Sequence, residues 1–206
     1  MIIRGKDHRS VEASAPLLEA GRLFAGFEGS WWIAGGWAVD LEVGRVRRTH
    51  TDVDVLVLAR ESELLARHFA DRPLTVTDQQ DGARRPWIPG EPPEPGRETL
   101  SLDARGTAGP VEILFGAADG ADWVFHRGRR TRRPLEALTR TSPGGLPYLS
   151  PEVVLLFKAR DGRPKDDADF ADLAPLLTEE QRTWLAPRLA PPGAPAHPWS
   201  ARLAAH

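Results

Sequence analysis

The hydrophobic pattern divides the chain near residue 147. Before it, apolar residues come mostly in short blocks; beyond it they recur at helical spacing. Leu17, Leu18, Leu23 and Phe24 predict an N-terminal helix with a glycine stop near Gly29, Pro16 bearing on where it starts. "WWIAGG" reads as a short buried strand ending at Gly35 and Gly36, and "WAVDLEVG" as a short helix closed by Gly44. "DVDVLVLA" is apolar, β-branched and bounded by polar residues, which predicts a central strand. "ESELLARHFA" predicts a helix and "LTVTD" a further strand. Residues 79–98 are rich in proline and glycine without a period. They read as a long loop, with at most a little strand at Trp87 and Ile88. "ETLSLDAR" and "PVEILFG" predict a strand pair joined through Gly106 to Gly109, and "DWVFHRG" one more strand.

In the last third, Ser150 is the expected N-cap of a helix with Pro151 at its first position and Glu152 in its first turn. "KDDADFADLAPLL" is amphipathic, Thr178 to Gln181 form a capping box, and "HPWSARLAAH" is a short helix or a frayed tail. No internal repeat is visible. The fold class is therefore α+β: a mixed β-sheet with flanking helices over residues 1–146, then a small helical region over 147–206.

Composition narrows the function. The chain has 206 residues, 41% of them hydrophobic, and a formal net charge of −2, so no global field favours nucleic acid or acidic membranes. With no cysteine, disulfide scaffolds and thiolate metal sites are excluded. No apolar run reaches membrane-spanning length and no secretory h-region follows the N-terminus, so the expected compartment is the cytoplasm. Arginine is the default cation; only Lys6, Lys158 and Lys165 are lysines, which marks each as a less casual choice.

The candidate chemistry sits where the central strand begins. Residues two apart in a strand share a face, so Asp52 and Asp54 point one way while Val53, Val55 and Val57 enter the core. Two ionised carboxylates this close repel unless a cation neutralises them. Mg²⁺ takes one or two carboxylates together with substrate phosphates. Gly35 and Gly36 open the preceding helix, where backbone N–H groups and the helix N-terminus favour an anion. A phosphate cradle beside a carboxylate pair points to phosphoryl or nucleotidyl transfer.

The stretch "GGWAVDLEVGRVRRTHTDVDV" resembles the signature of the nucleotidyltransferase superfamily. More narrowly, it is similar to the group holding the aminoglycoside 2″-adenylyltransferases and the lincosamide nucleotidyltransferases. Gly35, Gly36, Trp37, Asp40, Gly44, Arg48, His50, Asp52 and Asp54 carry the likeness, which is strong from Trp31 to Leu58, fair from Pro151 to Trp184 and weak between. The resemblance implies a nucleotidyltransferase-type sheet. It implies an NTP co-substrate, ATP favoured, bound with two Mg²⁺ ions, and a small hydroxylated acceptor, possible antibiotics among them. It also implies a third carboxylate on a neighbouring strand. Glu112, alternating with Val111, Ile113 and Phe115, is favoured by family position; the rival is Asp103, and the usual residue there is aspartate.

By the same resemblance Arg48 and His50 contact the triphosphate or fix the loop around Asp52, and Asp40 orients the Arg48 loop. Lys158 and Lys165 are candidate phosphate contacts from the helical part. Asp166, Asp167, Asp169 and Asp172 read mostly as helix N-terminal charge, one or two of which could face a cationic acceptor. "RGRRTRR", Arg127 to Arg133, lacks interleaved aromatics and reads as an exposed hairpin tip rather than a nucleic-acid surface. A catalytically silent domain that binds nucleotide or a partner is the alternative, since glutamate replaces the usual third aspartate.

Overall fold

The computed structural model describes residues 11–102, 109–125, 131–190 and 193–204. Helix α1 (Ala15–Leu23) leads to β1 (Trp31–Ile33), α2 (Gly35–Val43) and β2 (Val53–Leu58). After α3 (Ser62–His68) come β3 (Thr75–Asp78), β4 (Arg84–Pro86), β5 (Glu98–Leu102), β6 (Val111–Asp119) and β7 (Asp122–Phe125). The chain continues through β8 (Thr131–Pro134), α4 (Leu135–Leu138), β9 (Thr139–Thr141) and β10 (Pro147–Leu149) to α5 (Pro151–Asp161), α6 (Pro164–Leu173), α7 (Glu179–Leu185) and α8 (Pro198–Leu203).

One mixed sheet runs in the order β4-β3-β5-β6-β2-β1-β10-β9, and the far end of β6 turns aside to pair with β7, which pairs with β8. Among the described residues, only β2 with β6 and β1 with β10 are parallel. Val53, Val55 and Val57 are fully buried on β2, as their alternation required. The left-handed Gly44 caps α2. Thr178 and Gln181 exchange the two hydrogen bonds of the capping box. Trp199 on α8 stacks on Phe170 of α6 at 4.5 Å, which ties the last helix to the core.

Three expectations need correction. Helix α1 ends at Leu23, and the first left-handed glycine after it is Gly26, not Gly29. The small strand in 79–98 lies at Arg84–Pro86, hairpinned onto β3, while Trp87 is buried and its indole donates to the Glu91 carbonyl. In the arginine run, Arg127, Arg129 and Arg130 lie outside the described residues, but Arg133 is no exposed tip. It is buried, bonded to Glu152 at 2.6 Å and Glu180 at 3.0 Å, with its guanidinium over Trp184. The change of pattern at residue 147 falls on β10, which pairs with β1. Beyond it α5 and α6 pack on α2 and form one wall of a cleft over the sheet.

Candidate functional site

The cleft measures about 850 Å³ and is lined by the glycine pair, the residues from Arg48 to Asp52, Asp54, the open face of β3, β5 and β6, and α5 and α6. Parallel pairing of β2 and β6 puts Asp54 directly beside Glu112, and Asp52 precedes Asp54 on the same face. All three candidate carboxylates therefore line one cleft. Asp103, the rival third ligand, lies outside the described residues.

Each acid is held differently. Trp37 donates its indole N–H to the Asp52 carbonyl at 3.0 Å, which fixes the approach to β2. Asp54 is part-exposed into the cleft but walled elsewhere. Burial first, and then the charge of Asp52, push its pKa up to about 6, with Lys158 opposing and Glu112 adding to the rise. Glu112 accepts from Ser101 Oγ at 2.8 and 3.0 Å. Its pKa is also raised, by burial above all and partly by Asp52, while the Ser101 bond and Arg84 oppose the rise.

The glycine pair has a steric explanation. Gly35 has a positive φ of 59°, and a Cβ there would fall on the Asp54 carboxylate. A Cβ on Gly36 would come within 2.5 Å of both Arg48 Nη2 and His50 Cε1. The missing side chains let a carboxylate, a guanidinium and an imidazole close on the first turn of α2. Gly36→Ala is expected to lower NTP affinity at least tenfold by moving Arg48 and His50, about 1.4 kcal/mol of binding. Equilibrium titration with Mg²⁺–NTP checks this; unchanged affinity would detach Gly36 from the nucleotide.

Behind the turn lies a charged network. Asp40, wholly buried on α2, accepts from Arg47 Nε at 2.7 Å and is 2.7 Å from His50 Nε2. The His50 ring also packs on Trp37, centroids 4.4 Å apart. Asp40 thus orients the loop, but through Arg47 and His50 rather than Arg48. Arg47 continues to Asp169 at 2.6 Å and Asp172 at 2.7 Å on α6. Arg48 Nη2 stands 3.7 Å from Asp169, with its side chain half-buried at the cleft.

Lys158 lines the cleft, but its ammonium is buried and paired with Asp169 at 2.6 Å and Asp166 at 3.3 Å. Burial works to raise the pKa of Asp169, yet Lys158 and Arg47 outweigh it and hold the group below the ordinary carboxylate value. Two of the acids on α6 therefore face inward to cations, Asp172 joins Arg47, and Asp167 receives the Trp199 indole N–H. This corrects the expectation that they could face an acceptor. Lys165 is exposed at the cleft rim with no ion-pair partner among the described residues. Arg47, Arg84, Thr99 and Ser101 were not singled out from sequence. The spacing of Asp166, Asp169 and Asp172 on one helix face was the available sign that buried cations would meet α6.

The donor set suits a hard divalent ion: every candidate ligand is a carboxylate oxygen, and Asp54 carries the cost of two acidic neighbours. Among the described residues no group of three His, Asp or Glu side chains stands ready to hold an ion by itself. Phosphate oxygens would have to complete the coordination, which is the habit of Mg²⁺.

The sheet, the glycine turn and the carboxylates together define the fold of a nucleotidyltransferase. The sequence model of the aminoglycoside-2''-adenylyltransferase family matches residues 17–85, which hold the glycine pair, Asp52 and Asp54, and the chain resembles that family over this third of its length. The match and the fold together support a nucleotidyltransferase enzyme. The lincosamide antibiotic adenylyltransferase LnuA, solved with lincomycin bound, superposes with a TM-score of 0.55 at 18% identity, over 80% of this chain and 98% of that one. ANT(2")-Ia in complex with adenylyl-2"-tobramycin gives 0.55 at 15% identity, over 83% and 93%. At such identities the likeness is one of fold. No curated protein matches the sequence. Among the described residues no helix is long and apolar enough to cross a membrane.

Proposed function

We propose that the chain is a Mg²⁺-dependent nucleotidyltransferase that moves an NMP, AMP favoured, from an NTP to a hydroxyl of a small molecule, aminoglycoside-like or another antibiotic. The observation that supports this best is the register of Asp54 with Glu112 on parallel strands, facing a glycine turn that only residues without side chains could form. In this reading residues 1–146 supply the acids and the phosphate turn, and residues 147–206 the helical wall. Asp52, Asp54 and Glu112 hold the divalent ions, whose chemistry is to neutralise charge on the attacking and leaving oxygens.

Gly35 and Gly36 receive the triphosphate with their backbone, and Arg48 and Lys165 offer it positive charge. His50 and Lys158 act from behind, His50 through Asp40 and Lys158 through Asp169. The acceptor oxygen bonds to the α-phosphorus as the bond from that phosphorus to the bridging oxygen breaks. Pyrophosphate leaves with the electron pair, and the hydroxyl proton passes to Glu112. The raised pKa of Glu112 suits a group that takes a proton.

Incubation with mixed NTPs, Mg²⁺ and an acceptor library, read by mass spectrometry, tests the reading. A product heavier by one nucleotidyl group supports it. NTP binding with no product from any acceptor points to the silent domain instead. Glu112→Gln is expected to cut kcat at least a hundredfold with little change in NTP affinity, since Asp52 and Asp54 remain. Near-normal turnover would move the third ligand to Asp103.

A further inference from the structure

The far end of the cleft has a charge and hydrogen-bonding character of its own. Register carries one open face of the sheet from Asp54 to Glu112, to Ser101 and to Thr75, and alongside from Leu114 to Thr99, Thr77 and Arg84. The cleft floor therefore leaves Glu112 as a band of hydroxyls, Ser101, Thr99 and Thr77, and ends at Arg84 on the edge strand. Gln79 joins the band by donating to Thr99 Oγ1 at 3.0 Å. Three strand spacings separate β6 from β4, about 14 Å, which matches a molecule of disaccharide size laid across the strands.

Two of the three arginines near this end are already neutralised. Arg85 is held by Glu91 at 2.7 Å and Glu98 at 3.1 Å, and Arg97 by Asp78 at 2.8 Å and Glu94 at 3.3 Å. Arg84 is exposed, lines the cleft and has no ion-pair partner among the described residues. Apart from Asp52, Asp54 and Glu112, the carboxylate of the described lining is Glu98, and Arg85 and the Glu94 N–H occupy it. The charge of Arg84 reaches Glu112 only through space, without a direct ion pair, so a polyamine would meet an exposed guanidinium here and find no spare carboxylate beyond the three acids.

We propose that Arg84 is the specificity-determining residue for the acceptor, and that the acceptor is a polyhydroxylated molecule bearing an oxyanion, a carboxylate or phosphate ester, rather than a polyamine. The inference rests on the nucleotidyltransferase reading above and narrows its acceptor to the non-aminoglycoside side of that class. Ser101 and Thr99 already bond Glu112, so the band, with Thr77, serves the acceptor's hydroxyls chiefly as hydrogen-bond acceptors, and the guanidinium takes its anion in a two-pronged contact. One hydroxyl is thereby left at Glu112, three strands away.

The test compares wild type, Arg84→Gln and Arg84→Glu on four acceptors in one mixture. These are a neutral disaccharide, its uronate, its phosphate ester and an aminated form, supplied with Mg²⁺ and mixed NTPs. Product ratios are read by mass spectrometry, and each acceptor is also titrated alone by thermal shift. Wild type is expected to favour the uronate or the phosphate ester over the neutral form by about tenfold to a hundredfold, the range of a hydrogen bond to a charged group. The two arms say which oxyanion is preferred. Arg84→Gln should erase the preference and Arg84→Glu should turn it toward the aminated form. Preference for the aminated acceptor in wild type, or equal ratios in all three proteins, overturns the proposal. Without products, the acceptor shifts read the same ratios. A missing Mg²⁺–NTP shift in wild type would instead defeat the nucleotidyltransferase reading, while the acceptor shifts still report on Arg84.

Discussion

Asp52→Asn and Asp54→Asn are each expected to bring nucleotidyl transfer down to background while the fold persists. The amide keeps the shape of the side chain but not the charge that draws a divalent ion and the phosphates it carries. The loss should be on the order of a thousandfold, the upper range for removing one group that stabilises charge in the transition state. Stability should move the other way. Asp54 has a folded pKa of about 6, above its ordinary value, so its ionisation costs the apo fold stability as pH rises through that window. The charge of Asp52 is one cause of that rise. Asp52→Asn should therefore raise the melting temperature of the metal-free protein above pH 7, and the gain should fade below about pH 4, where Asp54 is protonated in folded and unfolded chains alike. Product mass spectrometry and calorimetry in chelator check both halves. Turnover near wild type in either variant would sink the two-ion reading.

The parts of this site that could be read from sequence are those fixed by local rules. Period-two alternation placed Asp52 and Asp54 on one face, and a glycine pair between a strand and a helix marked the turn. The capping box set the start of α7, and Pro151 at the first position that of α5, where Ser150 holds the N-cap position but its hydroxyl donates to Glu152 instead of capping. The strands β8, β9 and β10 were not legible, because "TRRP", "TRT" and "PYL" are three or four residues long and owe their conformation to the neighbours they pair with. Arg84 was hidden for a related reason: its place on the cleft floor depends on the β3–β4 register, inside a segment whose prolines read as loop.

Charge partners were harder still. In "RVRR" nothing local says which arginine turns inward. Arg47 does so because Asp169 and Asp172 meet it from more than a hundred residues away. The lysine bias did mark Lys158, but its partners are acids of α6, and it reaches the cleft as the far side of an internal ion pair.

Arg47→Leu is expected to be among the most destabilising single changes in the chain. The side chain is only 7% exposed, and it bonds three carboxylates, of which Asp40 is 0% and Asp169 1% exposed. Its removal leaves Asp40 facing His50 alone and leaves Asp169 to Lys158 and the more distant Arg48. Taking one partner from a buried ion pair costs about 3–5 kcal/mol, because the remaining charge stays desolvated. For a chain of this size that lowers the melting temperature by roughly 6–20 °C. Arg47→Lys should recover only part of it, since an ammonium cannot present the guanidinium's fork to three acids at once. The same network holds Arg48 and His50 against Gly36, so NTP affinity should weaken in Arg47→Leu even well below its melting temperature. Arg48→Leu makes the separation. It removes a half-exposed cation that touches Asp169 only at 3.7 Å, so it should lose NTP affinity with a melting temperature close to wild type. Calorimetry and nucleotide titration on the three variants decide the matter. A stability loss below about 1 kcal/mol in Arg47→Leu, the scale of a surface ion pair, would show that these charges are solvated rather than buried and that the loop is held by other means.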